Sequence, residues 1–204
     1  MRTPRDSAHR LLRLLLLVEL LRPSRCAPAH HKAVLCNTLK SAANQMDVIR
    51  RTAQRLQHHD DEVADDLLEA RLQSLPVIAT TAAHLRTWKA NESLCGLYTN
   101  ALAFRAHADW LRAAAENVSL PSEAAGGAAF RLLRLADLVR TALVQMEAVV
   151  PSAPPPPWLP AVSTAFEALR YSTEMSRHLK VFCSFSKRLV RHLLRAANCP
   201  HRRR

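Results

Sequence analysis

Four stretches of this sequence carry apolar residues at steps of three and four, and the spacers between them run long, short, long. Apolar residues at that step form one stripe along an α-helix, so each stretch reads as an amphipathic helix. The first runs from about Lys32 to Gln57, with Leu35, Leu39, Ala42, Met46, Ile49, Ala53 and Leu56 on one face. The polar run His58-His59-Asp60-Asp61 marks its end. The second, from about Leu94 to Ala115, aligns Leu94, Leu97, Ala101, Phe104, Ala108 and Leu111. The third, from about Ser122 to Glu147, aligns Phe130, Leu133, Ala136, Leu138, Leu143 and Met146. Gly126-Gly127 weakens its first turns by roughly 1 kcal/mol per glycine relative to alanine. The fourth, from about Thr164 to Ala197, opens on Thr164-Ala165-Phe166-Glu167. That is a capping box, in which the Thr oxygen and the Glu carboxylate satisfy backbone amides that the helix leaves over.

The spacers set the topology. Residues 58–93 can run the length of a helix, whereas the second spacer allows only an antiparallel turn. The third holds Pro151, then Pro154 through Pro157, Trp158 and Pro160. Proline fixes φ and removes an amide donor, so this segment is no helix. In polyproline geometry, at ~3.1 Å per residue, it makes a stiff strap across the bundle. Two long crossovers around one short turn predict an all-α, long-chain four-helix bundle of up-up-down-down topology. An up-down-up-down bundle needs only short loops. With three glycines in 204 residues and an excess of Leu and Ala, the composition suits packed helices in one domain.

The N-terminus points to secretion. Arg2, Arg5, Arg10 and Arg13 lead into Leu14 through Val18, and the small residues around Cys26-Ala27 suit a cleavage site. Residues 1–26 therefore read as a signal peptide and 27–204 as the mature domain; the rival reading is a mitochondrial presequence. No later run reaches the ~18 apolar residues of a membrane span. Asn91-Glu92-Ser93 and Asn117-Val118-Ser119 are glycosylation sequons, both placed in expected connections. Cleavage leaves Cys36, Cys95, Cys183 and Cys199, an even number with three possible pairings. It also removes six arginines and two acids, which lowers the formal charge from +12 to +8.

No catalytic or cofactor signature stands out: there is no phosphate-binding glycine loop, HExxH or GxSxG. The histidines at 30–31, 58–59, 107, 178 and 192 are scattered and read as solvated polar residues, and Asp65-Asp66 as surface charge. The last helix is strongly basic, with Arg170, Arg177, Lys180, Lys187, Arg188, Arg191 and Arg195 before Arg202-Arg203-Arg204. The helix dipole favours Arg191 and Arg195 but not the number of charges beyond them. The surplus reads as a protein-binding face or a contact for heparin-like glycans, against a merely solvated face. Nucleic acid is disfavoured, because no aromatic platform interleaves the charges.

Particular residues carry a family resemblance. Leu72-Gln73-Ser74-Leu75-Pro76 looks like a "D-S-L-P" element, and His107-Ala108-Asp109-Trp110-Leu111-Arg112 is similar to an "H-x-x-W-L" signature. The proline strap follows, and Phe182-Cys183-Ser184-Phe185-Ser186-Lys187-Arg188 resembles "F-C-D-W-A-x-R". In this order and spacing, over residues 72–190, they resemble the interleukin-11 family of the interleukin-6 group of long-chain four-helix cytokines. The first helix carries no matching signature, and Ser184 and Ser186 stand where the family has an acid and an alanine.

The resemblance implies a secreted, non-enzymatic cytokine that needs no cofactor. It would bind a specific α receptor and recruit two copies of the signalling receptor glycoprotein 130. Arg188, with Leu75 and Pro76, would face the α receptor. Arg134 and Arg140 would belong to the first glycoprotein 130 site, and an aromatic anchor to the second. Family spacing puts that anchor at Phe166, residue type at Trp158. Other readings are a leukaemia-inhibitory or ciliary-neurotrophic type of the same group, or an intracellular or mitochondrial helical adaptor for anionic partners.

Overall fold

The computed structural model describes residues 28–56, 72–78 and 89–200. The leader, His58-His59, Asp65-Asp66 and the last three arginines lie outside the described residues. Among the described residues there are four helices: α1 (Pro28–Leu56), α2 (Ala90–Asn117), α3 (Glu123–Gln145) and α4 (Ala165–Ala196). No strand occurs among the described residues.

The helix ends follow local chemistry. α1 starts four residues before Lys32, on Pro28, whose missing amide and fixed φ suit a first helical position. α2 likewise starts four residues before its first core leucine. Glu92 in its first turn favours the positive end of the helix dipole and pairs with Lys89 at 3.0 Å. As a result both sequons sit at helix ends rather than in connections: Asn91 is in the first turn of α2, and Asn117 is its last residue. α4 carries the expected capping box, in which the Glu167 amide donates to Thr164 Oγ1 at 3.2 Å and the Thr164 amide to Glu167 Oε2 at 3.1 Å.

The core takes the expected faces of α1 and α2: Leu39, Met46, Ile49 and Ala53 are buried, as are Leu94, Leu97, Phe104 and Leu111. On α3 the face differs. Phe130 is 64% exposed and Leu133, Leu138 and Met146 are half-buried; only Ala136 and Leu143 sit inside as expected. The buried stripe is Ala125, Ala128, Ala129, Leu132, Leu135, Ala136, Val139, Ala142 and Leu143. Its upper half is almost all alanine, and a Cβ on Gly126 would lie 3.0 Å from Arg112 Cδ. Small residues bring α3 close to its neighbours there, and the Phe130 ring lies on the outer face.

Directions follow from paired positions. Cys36 is disulfide-bonded to Cys199, Asp47 pairs with Lys187, and the Ser176 and Ser172 hydroxyls donate to the Ala53 and Leu56 carbonyls. α1 and α4 therefore run antiparallel. Gln45 donates to the Arg131 carbonyl at 3.0 Å while Gly127 lies against Thr52, so α1 and α3 do the same. α2 opposes α3 across their short turn, and it opposes α4 through the ring contacts Phe104–Phe182 and Trp110–Tyr171.

Candidate functional site

Two ends of α4 present different chemistry. Residues 72–78 of the first crossover lie across α2 and α4, from Glu174 in the first third of α4 to Leu189 near its C-terminus. The Leu72 amide donates to Glu174 Oε2 at 2.9 Å, a carboxylate on α4 that is 7% exposed. One turn later Ser74 Oγ meets His107 Nε2 at 3.0 Å. The other ring nitrogen, Nδ1, lies 2.8 Å from the Ala103 carbonyl and must donate to it. In the neutral ring, which burial favours, Nε2 is then the acceptor and the Ser74 hydroxyl the donor. Burial pushes the His107 pKa below the usual histidine value, against a smaller opposing effect of the Ala103 carbonyl. The expectation of solvated histidines fails here: His107, part of this polar clamp on the crossover, is fully buried, and both its ring nitrogens are satisfied, one by the Ser74 hydroxyl of the crossover and one by the Ala103 carbonyl of its own helix.

The clamp decides what the crossover shows to solvent. Leu72 and Leu75 point into the core at 6% and 4% exposure, joined by a turn from the Leu75 amide to the Leu72 carbonyl. Leu75 thus has almost no surface to offer a partner; it holds up half-buried Pro76 and Val77, and Val77 is 90% exposed. Val77 and Ile78 form one wall of a cleft of about 250 Å³, with Gly96 and Asn100 of α2 and Phe185 and Leu189 of α4 opposite. Arg188 is exposed on the next face of α4, and its neighbour Lys187 is tied to both oxygens of Asp47.

At the other end of α4, the strap is fixed by Trp110, whose indole Nε1 donates to the Pro160 carbonyl at 3.2 Å and whose ring packs edge-on against Tyr171 at 5.3 Å. Trp158 stands 79% exposed outside that anchor. Phe166, in the first turn of α4, is 52% exposed. The cap that fixes this turn also lowers the Glu167 pKa, chiefly through the hydrogen bond from the Ser163 amide. Both aromatics reach solvent rather than packing beneath the strap.

On α3, Arg134 and Arg140 are both exposed and, six residues apart, project about 120° from one another, with Phe130 and Val144 between them around the helix. Each has an apolar companion four residues away: Phe130 beside Arg134, and Val144, 60% exposed, beside Arg140. Sequence reading assigned Phe130 to the core; the run of small residues one register step away is the signal that places it outside.

Of the four cysteines among the described residues, Cys36 and Cys199 form a disulfide, with 5.6 Å between their Cα atoms. Cys95 and Cys183 are free thiols, so two bridges do not form. Burial pushes the Cys183 thiol up to about 12, with Asp47 adding to the shift and Arg50 opposing it. Among the described residues, no group of histidine, cysteine and acid side chains could hold a metal ion, and no helix is long and apolar enough to cross a membrane.

A bundle of four long helices with a strap, separate exposed aromatic and arginine patches, and its first and last helices bridged has the architecture of a helical cytokine. Residues 28–196 match the family model described as Interleukin 11. The chain belongs to the interleukin 11 family. No curated protein and no solved structure matched it. Of the motifs that carry the resemblance, the one at 107–112 supplies His107 to the crossover clamp and Trp110 to the strap anchor, and the one at 182–188 borders the cleft beside Val77 and Ile78.

Proposed function

We propose that the chain is a secreted cytokine that binds a specific α receptor and recruits glycoprotein 130 to trigger intracellular signalling. Family membership over residues 28–196 is the observation that carries this reading. Residues 1–26 act as the signal peptide and 27–204 as one mature domain, with glycans on Asn91 and Asn117. Both asparagines are exposed, so neither glycan would disturb the core. Up-up-down-down topology belongs to the same reading, supported by the four antiparallel helix pairs.

Arg188 anchors the α-receptor face, beside Pro76 and Val77, which Leu75 supports from beneath. Phe166 and Trp158 form the anchor of one glycoprotein 130 contact at the far end of α4. Arg134 and Arg140 serve the other contact, together with Phe130 and Val144. The spacing supports a division of labour: Phe166 and Arg188 are 22 residues apart on one helix, roughly 33 Å, too far for one hot spot.

The test is binding of the purified, secreted protein to receptor ectodomains. Capture of an α receptor, and of glycoprotein 130 only in its presence, is expected. A product that keeps residues 1–26 and stays in the cytosol would overturn the reading in favour of an intracellular adaptor.

A further inference from the structure

The positive charge of the bundle is concentrated on one pair of helices. α4 carries seven lysines and arginines against two acids, and α1 five against one. All three acids are committed: Asp47 to Lys187, Glu167 to the helix cap, and Glu174 to the Leu72 amide. On α2, by contrast, Arg105 and Arg112 each pair with a carboxylate four residues on. Along the outer face of α4, Arg188, Arg191 and Arg195 follow one another at steps of three and four. They make a stripe about 10 Å long. All three are exposed, and among the described residues none is in an ion pair. Like charges at this spacing repel, so the free protein bears a cost that an external anion would relieve. The helix dipole accounts for a cation in the last turn, not for three in a row.

We infer that the Arg188–Arg191–Arg195 stripe binds a sulfated glycan chain, and that glycan and α receptor exclude one another there because both need Arg188. The exclusion rests on the role proposed for Arg188; the glycan site does not. A linear polyanion suits a narrow, straight row of guanidinium groups, each able to hold two oxygens of one sulfate. A lipid surface would call for an apolar wedge among the charges. The nearest large exposed apolar side chain on this helix is Val181, about two turns away. Bound to a matrix glycan, the protein would be held near its source with its α-receptor face covered.

The test uses the full secreted chain on immobilised heparin. Arg191→Ser/Arg195→Ser is expected to weaken binding about tenfold and to flatten its salt dependence, with the helical circular-dichroism spectrum retained. Arg51→Ser/Arg55→Ser removes the same charge from exposed positions at the far end of α1 and is expected to change binding little. Equal losses from the two double variants would show attraction to net charge alone and overturn the site. So would a loss produced only by replacing Arg202, Arg203 and Arg204 with serine. Binding to phosphatidylserine vesicles without binding to heparin would overturn the choice of ligand. In a second arm, soluble heparin should block capture of the α receptor by the parent but not by Arg191→Ser/Arg195→Ser. If both are captured freely in saturating heparin, mutual exclusion fails while the glycan site stands. If no α receptor binds even without heparin, the fault lies with the proposed function.

Discussion

His107 shows how one buried ring ties stability to pH. Its folded-state pKa lies below the ordinary value of 6.5, so the unfolded chain takes up the proton first. The stability that neutral His107 contributes is fully present above 6.5 and is lost as the pH falls from there toward the folded value. His178, lowered chiefly by burial, acts in the same direction. Denaturant midpoints should therefore fall between pH 7.5 and 5 more steeply for the parent than for His107→Phe, which cannot titrate. Equal slopes would mean that the ring does not govern the transition. Arg188 makes a contrasting case. It is exposed and unpaired among the described residues, so Arg188→Ala should leave the thermal midpoint unchanged. Its loss from an interface centre should weaken α-receptor binding by about 2 kcal/mol or more, read by titration calorimetry.

The helices and their connections were legible in the sequence to different degrees. Leucine-rich faces on α1 and α2 were readable because large apolar residues dominate them, and the α4 start because a capping box has a fixed spacing. The face of α3 was not, since alanine burial is decided by neighbours the sequence does not order. Leu132→Asp, at a fully buried position, should therefore cost about 3 kcal/mol or more, and Leu133→Asp clearly less, by chemical denaturation. Comparable losses would mean that the register assigned to α3 is wrong. The clamp of His107, Ser74 and Glu174 was illegible for another reason: its members lie 33 and more residues apart and meet only when the crossover docks. On the strap, Trp158 and Phe166 are exposed, so Trp158→Ala and Phe166→Ala should keep stability and α-receptor binding. At least one of them should abolish signalling in a reporter-cell assay. Full signalling by both variants would remove the aromatic anchor from the account.

For the whole molecule, family membership and the four amphipathic helices could be read before the fold. The cysteine pairing could not, because four cysteines leave three choices and only proximity selects one. The disulfide ties the opening of α1 to the end of α4 across 163 residues. Closing so long a loop restricts the unfolded chain, so Cys36→Ser/Cys199→Ser should lower stability by about 2–4 kcal/mol. An unchanged unfolding curve would mean that the helices alone hold this end together.

The same bond sets where a mechanical load goes. A pull applied just outside Cys36 and Cys199 passes through two sulfur atoms and leaves the bundle slack, since the attachment points sit side by side. Cargo fused at either point would leave from the same pole, crowding the arginine stripe of α4. Phe166, about 45 Å from that end of the helix, would stay clear. A probe or immobilising tag placed there would therefore mask one receptor contact and spare the other, whichever end of the domain carried it.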